Sequence, residues 1–319
     1  MNYTLPQLNT SFPVFPRDLL DAEPDWKDFC LRLSDDTTDK LAPLWWKNIV
    51  ANAPLIRRKG SAYDRYRGQG RGKACVIIGA SPALKDNCES LKTIQDDPGF
   101  ILIATSSSLK FLLANGIKPK FVFIADGNAD CAPKIDVKGQ AQGITLIATT
   151  LVHPNSLKNW QGNIRFVRCT TGDGRDKEHI RLTKIKDEFP GGGTQYNAAV
   201  LFAYMTLQSQ ILIFVGNELS WDEQYYVDRH DVKDKGFEKF PWVNIHGEVS
   251  YTNLSFIQSK LWLEQALGNW KGVFINATEA GILGSSKRYG TLPYILQMKL
   301  SNSIGYVRKA LEQYHKEVN

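Results

Sequence analysis

Several features that would mark a specialised class of protein are missing or scarce in this chain. The five cysteines among 319 residues are an odd number without Cys-x-x-Cys spacing, which favours free thiols in a reducing compartment over a disulfide framework or a zinc site. No segment is apolar for long enough to span a membrane, and prolines interrupt the N-terminal segment, so no secretory signal is expected. These absences predict a cytoplasmic protein without a membrane span.

The charge is mildly basic, with a formal net charge of +6. Lys and Arg are scattered among acidic residues and form no long basic tract, so the sequence does not predict a nucleic-acid binder. A mild attraction for smaller anions such as nucleotides is expected instead. The 43% hydrophobic and 23% charged content is that of an ordinary globular protein.

One stretch, ACVIIGASPALK (74–85), organises the chain. Its continuous apolar run predicts a strand that is covered on both faces, as in a parallel sheet flanked by helices. Gly79 permits a sharp turn, Ser81 is placed to cap the following helix, and Pro82 suits a first helical position. The stretch fits a phosphate-binding turn and an ordinary strand-to-helix turn equally well.

Strands and helices alternate from this point onward. Strands are predicted at 74–79, 100–104, 121–125, 145–148, 164–167, 210–215 and 273–276. Helices are predicted at 82–95, 107–115, 154–160, 194–208 and 253–268. This alternation predicts a doubly wound, mainly parallel α/β sheet, whose ligand crevice lies at the carboxyl ends of the strands.

The expected organisation has three parts. Residues 1–73 form an arm and a helical extension with a break near Pro43, residues 74–285 form the nucleotide-binding domain, and residues 286–319 form a C-terminal helical tail. The segment 223–252 is expected to be a long loop without structure of its own, of the kind that often covers a site.

Polar residues follow the predicted third strand. Asp126 and Asp130 are placed to bind a Mg²⁺ ion carried by nucleotide phosphates, because hard cations prefer oxygen ligands. Asn128 is a candidate for cofactor binding beside them. The alternative is that Asp126 and Asn128 only shape a turn.

Further candidates follow later strands. The run GGGT (191–194) precedes a predicted helix, so Gly192, Gly193 and Thr194 could present backbone N–H groups to an anion, or form a flexible loop with a Thr194 cap. It is not a Walker motif. Glu218 and Glu279 each follow a strand and are candidate catalytic residues that would orient the acceptor.

The order of these motifs resembles the MptE-like family, which contains 6-hydroxymethylpterin diphosphokinases and motility accessory flagellin glycosyltransferases. The motifs are GASPAL (79–84), NGIKP (115–119), the strand ending at Asp126, GGGT (191–194), VGNEL (215–219) and NATEAG (276–281). The family usually has Gly-x-Gly-Pro-Ser-Leu at the first turn, so Ser81 and Ala83 depart from it. Glu218 stands where an aspartate is usual.

The resemblance implies a Rossmann-like domain that binds a nucleotide or a nucleotide-sugar. In one branch of the family, a diphosphoryl group passes from ATP to a hydroxymethyl oxygen with Mg²⁺. In the other, a nonulosonic acid passes from a CMP-sugar to protein hydroxyls. The leading expectation is a diphosphokinase-like transferase in which Gly79, Ser81, Gly192, Gly193 and Thr194 hold phosphates and Asp126 holds a metal or the ribose. The alternatives are the glycosyltransferase and a non-catalytic nucleotide-binding or assembly module.

Overall fold

The computed structural model describes residues 26–190, 193–221, 224–228, 239–286 and 290–318, with side chains described between residues 37 and 312 of these ranges. The helices are α1 (Trp26–Lys59), α2 (Ala62–Tyr66), α3 (Leu84–Ile94), α4 (Leu109–Ala114), α5 (Asn155–Lys158), α6 (Asp176–Thr183), α7 (Gln195–Leu201), α8 (Leu254–Asn269) and α9 (Leu300–Val318). The strands are β1 (Ala74–Ile78), β2 (Phe100–Thr105), β3 (Phe121–Ile124), β4 (Thr145–Thr149), β5 (Asn163–Val167), β6 (Ile211–Val215), β7 (Phe240–Val243), β8 (Val249–Thr252), β9 (Val273–Asn276), β10 (Ser285–Ser286), β11 (Gly290–Thr291) and β12 (Leu296–Gln297). A 3₁₀-helix covers Ala129–Ile135, and a π-helical turn (Phe202–Thr206) continues α7.

Eight strands form one parallel sheet in the order β12-β9-β6-β1-β2-β3-β4-β5. Every residue of β1, β2, β3 and β4 is buried, because these uninterrupted apolar runs are covered by helices on both faces. The predicted α/β Rossmann-like class is therefore confirmed, and each predicted strand of the sheet is present within one or two residues of its expected bounds.

The chain changes direction across the sheet at β1. Strands β1 to β5 follow one another to one side, and β6, β9 and β12 lie on the other side of β1. The carboxyl ends of β1 and β6 therefore flank the topological switch point, where doubly wound sheets open a crevice for ligands.

The predicted break at Pro43 is wrong, because α1 continues through both Pro43 and Pro54. A proline inside a helix removes one backbone hydrogen bond. Pro43 lies on the exposed side of α1, whereas Ala42, Trp46 and Ile49 are buried. Packing of that buried face keeps the helix continuous.

The expectation of an unstructured loop at 223–252 is also wrong in part. An antiparallel hairpin forms there from β7 and β8, with Phe240 opposite Thr252 and Val243 opposite Val249. The predicted C-terminal helix is present as α9, and β12 from the preceding segment pairs with β9 at the edge of the sheet. Within the part of the chain that the structure describes, no helix is both long and apolar enough to cross a membrane.

Candidate functional site

The turns after β1 and β6 touch backbone to backbone at the switch point. The Gly79 N–H donates to the Val215 carbonyl at 2.8 Å. A Cβ atom on Gly79 would lie 2.2 Å from the Gly216 carbonyl oxygen, so only glycine fits there. Gly216 itself has a φ of +63°, whereas Gly79 has no left-handed φ. Glycine is needed at position 79 because of this close approach and not because of the sharp turn expected from the sequence.

The backbone donors of this first turn bond within the chain. The Ser81 N–H donates to the Gly216 carbonyl at 3.0 Å, and the Ala83 N–H donates to Glu218 Oε1 at 2.8 Å. Helix α3 begins at Leu84, and the expected cap from Ser81 is not formed: the Ser81 hydroxyl is buried and has no partner among the described residues. Glu218 supplies the cap from 135 positions further along the chain.

The segment that carries Glu218 is held tightly. A Cβ atom on Gly281 would lie 2.1 Å from the Glu218 carbonyl oxygen, and the Ile282 N–H donates to that oxygen at 2.8 Å. Leu219 has a φ of +55°, and its carbonyl accepts a 2.7 Å hydrogen bond from the Thr252 hydroxyl. The backbone of Glu218 is thus fixed, and only its partly buried side chain can move.

Asp126 organises the turn after β3. Its Oδ1 accepts hydrogen bonds from the backbone N–H of Asn128 at 2.9 Å and from Asn128 Nδ2 at 3.0 Å, and its Oδ2 accepts one from the Cys131 thiol at 3.0 Å. Burial, with a further contribution from this hydrogen bond, raises the pKa of Cys131 to about 11. The hydrogen bonds between Asp126 and Asn128 therefore shape this turn, which was the alternative interpretation of these two residues.

Asp126 lies at the same edge as the first turn but two strands away, a separation of about 10 Å. Asp130 is exposed. Among the described residues, no three His, Cys, Asp or Glu side chains come together as a metal site. Metal binding by Asp126 remains a prediction that would depend on a single protein carboxylate.

Glu279 ties two helices together at the end of β9. Its Oε1 accepts hydrogen bonds from the Leu300 N–H, the first residue of α9, at 3.1 Å, and from Asn87 Nδ2 of α3 at 3.3 Å. Its carbonyl oxygen lies 3.0 Å from His246 Nε2. Like Glu218, this carboxylate contacts the N-terminus of a helix.

Thr194 and Gly193 lie at the start of α7, close to the first turn. The Thr194 hydroxyl accepts from the Asn197 N–H at 3.2 Å, which is the helix cap expected from the sequence. The Tyr196 hydroxyl donates to the carbonyl of Ile77 in β1 at 3.0 Å, so α7 begins beside β1. Gly193 is exposed with a φ of +78°, and Gly192 lies outside the described residues.

The segment after β6 carries an aromatic cluster and touches the first turn. Trp221, Tyr225 and Phe256 pack with ring centroids 5.2 to 5.9 Å apart. The Val227 N–H donates to the Ala80 carbonyl at 2.9 Å, so the segment 224–228 rests on the turn. The sequence indicated a covering loop here but not this contact.

Helix α1 contributes a residue that sequence reasoning missed. The Nδ2 of Asn48, which is buried, donates to the Gly127 carbonyl at 2.9 Å and to the Leu151 carbonyl at 2.8 Å. Asn48 therefore joins the Asp126 turn to the loop after β4. The signal in the sequence was an asparagine among the apolar residues Trp46 and Ile49.

Two residues further toward the N-terminus, Trp46 connects α1 to the segment after β5. Its Nε1 donates to Asp173 Oδ2 at 2.6 Å, and the Arg175 guanidinium lies 4.1 Å from its ring centroid. Burial would raise the pKa of Asp173, but hydrogen bonds from Arg175, Thr171 and Trp46 outweigh it and hold that pKa well below its usual range. Burial, aided by Arg168, lowers the pKa of the neighbouring His179 to about 4.

The sequence profile of a known family matches a large part of this chain. The family is described as 6-hydroxymethylpterin diphosphokinase MptE-like, and the match covers residues 47–224, which is 178 of 319 residues. The chain belongs to the MptE-like family. The matched region of this MptE-like chain contains the first turn, the Asp126 turn and Glu218.

A solved structure has a similar fold. The chain aligns with the MAf glycosyltransferase from Magnetospirillum magneticum AMB-1 with a TM-score of 0.54 and 15% identity, covering 81% of this chain and 44% of that one. At this identity the likeness is one of fold, and the MptE-like chain spans less than half of that glycosyltransferase. A comparison with the curated proteins finds no match. The family match supports a transferase at the level of the family.

Proposed function

We propose that this chain is a nucleotide-dependent transferase that passes a diphosphoryl group from ATP to a hydroxymethyl oxygen. The observation that carries the proposal is the meeting of the β1 and β6 turns at the switch point, within the region that matches the family profile. Candidate residues from β1, β3, β6, β9 and the start of α7 all lie along that carboxyl edge. Doubly wound sheets bind ligands there.

Each candidate has a proposed role at this edge. Gly79 and Ser81 border the nucleotide, and Gly193 and Thr194 lie on the segment proposed to bind its phosphates, together with Gly192. Glu218 and Glu279 are proposed to orient hydroxyl groups of the substrates. Such a reaction depends mainly on positioning and charge neutralisation, so it requires no protein nucleophile.

Asp126 fits the way in which proteins usually hold Mg²⁺ together with a nucleotide, through one or two carboxylates. It is partly exposed, and its Oδ2 keeps a second lone pair beyond the hydrogen bond from Cys131, whereas Oδ1 already accepts two hydrogen bonds from Asn128. With the nucleotide bound, Mg²⁺ would neutralise charge on the phosphoryl groups. Asn128 would keep the carboxylate oriented.

The test compares Asp126→Asn with Asp130→Asn, a matched control on the same loop. The nucleotides ATP, GTP, CTP, CMP and CMP-sugars are screened for thermal stabilisation with and without Mg²⁺, since a bound ligand raises stability by mass action. Diphosphoryl transfer to a hydroxymethylpterin is then assayed. Asp126→Asn is expected to lose Mg²⁺-dependent stabilisation and turnover, whereas Asp130→Asn keeps both. Unchanged binding and turnover in Asp126→Asn contradict the assignment.

A second candidate function is sugar transfer from a CMP-activated donor. It is supported by the first turn, where the N–H groups of Gly79, Ser81 and Ala83 already bond within the chain, because one phosphate needs fewer donors than three. Stronger stabilisation by CMP or a CMP-sugar than by ATP, without a need for Mg²⁺, favours this reaction over the first.

A further inference from the structure

The N-terminus of α3 is occupied by a carboxylate of the protein itself. In a doubly wound sheet the start of the helix after the first strand is the usual position of a ligand phosphate, because free N–H groups and the helix dipole attract anions there. Here Glu218 Oε1 lies 2.8 Å from the Ala83 nitrogen, so an anion is already in place.

Two other N–H groups of the turn are not available to a phosphate either. Gly79 and Ser81 donate their N–H groups to the carbonyls of Val215 and Gly216, and Pro82 has no N–H group. A phosphate at this turn would therefore face a carboxylate at close range without a backbone donor from Gly79, Ser81 or Ala83. Two charges of the same sign repel each other strongly in a partly buried site.

Buried polar side-chain atoms of the β1 and β6 turns indicate that a ligand group is nevertheless received there. Asn217 is 6% exposed, and its Nδ2 has no hydrogen-bond partner within the described ranges. The buried hydroxyl of Ser81 has none there either. Buried polar atoms are normally paired, so a bound group or water is expected to complete them. An amide donor, a hydroxyl and a carboxylate acceptor together suit a hydroxyl-bearing group.

The carboxylate cannot leave by a movement of its backbone. Gly281 packs against the Glu218 backbone, and the Ile282 N–H holds the Glu218 carbonyl. Leu219, the next residue, is held by Thr252. The charge therefore remains at the turn unless the side chain itself rotates away.

We propose that Glu218 closes the turn 79–83 to phosphate and makes it a subsite for an uncharged, hydroxyl-bearing part of the substrate, such as the ribose of a nucleoside. This inference rests on the proposed function, because it assumes a nucleotide substrate. It places the phosphates of that nucleotide away from α3.

The Ala83 amide can be observed by itself. Pro82-Ala83 is the only Pro-Ala pair in the sequence, so labelling with carbonyl-¹³C proline and ¹⁵N alanine gives one Ala83 signal in a carbonyl-filtered NMR spectrum of the full chain. The chain is titrated with inorganic pyrophosphate. The wild type is expected to show no saturable shift of this signal, and Glu218→Gln is expected to bind pyrophosphate at this amide at least about tenfold more tightly.

Two further variants control for indirect effects. Glu279→Gln changes a carboxylate that caps another helix at the same edge, so its Ala83 signal is expected to behave as in the wild type. Glu218→Asp keeps the charge and is expected to keep pyrophosphate out. Saturable binding of pyrophosphate at Ala83 in the wild type or in Glu218→Asp overturns the proposal, as does an unchanged affinity in Glu218→Gln.

A second titration uses an uncharged nucleoside, either adenosine or cytidine. The one chosen has the same base as a nucleotide that stabilises the wild type in the thermal screen. A saturable shift of the Ala83 signal by this uncharged nucleoside supports the subsite, whereas nucleotide binding that leaves the signal unmoved overturns it and leaves the proposed function intact. If no nucleotide stabilises the protein, the proposed function fails, and the pyrophosphate comparison still decides whether Glu218 excludes phosphate.

Discussion

Replacing Gly79 by alanine tests the contact on which the switch point depends. The added Cβ atom would lie 2.2 Å from the Gly216 carbonyl oxygen and 3.1 Å from Cε2 of Tyr196. Real Cβ contacts are essentially never shorter than 3.0 Å, so the two turns must move apart by most of an ångström. Because Gly79 does not have a left-handed φ, the whole effect comes from this clash and none from backbone strain.

The size of the effect follows from what surrounds the clash. The Gly216 carbonyl is held by the Ser81 N–H, and Tyr196 is buried with its hydroxyl bonded to Ile77, so neither neighbour can rotate away. Overpacking of a buried site costs about 1–3 kcal/mol, and a clash with the backbone belongs at the upper end, about 3 kcal/mol. That is a substantial part of the 5–15 kcal/mol by which folded domains are typically stable.

Urea unfolding of the two proteins, compared at their midpoints and slopes, measures this loss. Gly305→Ala is the matched control, because Gly305 lies in α9 with nothing near its added methyl group, and it is expected to stabilise the protein by about 0.5–1 kcal/mol. A loss below about 1 kcal/mol for Gly79→Ala would refute the close-approach explanation. Added strain at Gly79 is also expected to weaken nucleotide binding.

Three further perturbations test buried polar groups. Lys260 and Glu264 form a buried ion pair at 2.6 Å, so Lys260→Met should lower the free energy of unfolding in urea by about 3–5 kcal/mol. Adding Glu264→Gln should recover most of this loss, because no unpaired charge then remains buried. Losses that simply add in the double variant would contradict the ion pair. The pKa of buried His179 is lowered to about 4, so between pH 6.5 and 4 only the unfolded state binds a proton at this residue. The free energy of unfolding should therefore fall by about 3 kcal/mol as the pH is lowered through that window. The variant His179→Leu should remove this share of the pH dependence. Asn48→Ala should cost about 2–3 kcal/mol and speed hydrogen exchange in the Asp126 turn, and unchanged exchange there contradicts the connecting role of Asn48.

The strands of the sheet could be predicted because their signal is local. An uninterrupted apolar run such as that of β1 is buried on both faces wherever it lies in a parallel sheet, so its own residues determine its state. The sequence predicted that the site lies at the carboxyl ends of the strands, but it did not predict between which strands. The order of the strands in the sheet depends on the crossover that the chain takes after each strand. The helical state of Pro43 depends on packing of the opposite face of α1, which a local proline rule does not include.

The side-chain contacts of the site could not be predicted for a different reason. Sequence position put Glu218 and Glu279 at strand ends and hence at the correct edge, but the atoms they contact come from α3 and α9. Ser81 was the obvious local cap for α3, yet the cap comes from Glu218, because the close approach of Gly79 and Gly216 brings the β6 turn beside the start of α3. A cap contributed by a distant strand leaves no pattern near the helix.

These contacts change what the acidic residues of this edge mean for the chemistry. A carboxylate that bonds to the N-terminus of a helix opposes the arrival of a second anion there. Glu218 and Glu279 both have this arrangement, whereas Asp126 bonds to an amide, an N–H group and a thiol within its own turn. Asp126 therefore differs in kind from Glu218 and Glu279. Substrate phosphates are expected on the side of Asp126 and Gly193, and the uncharged, hydroxyl-bearing part of the nucleotide is expected on the side of Glu218.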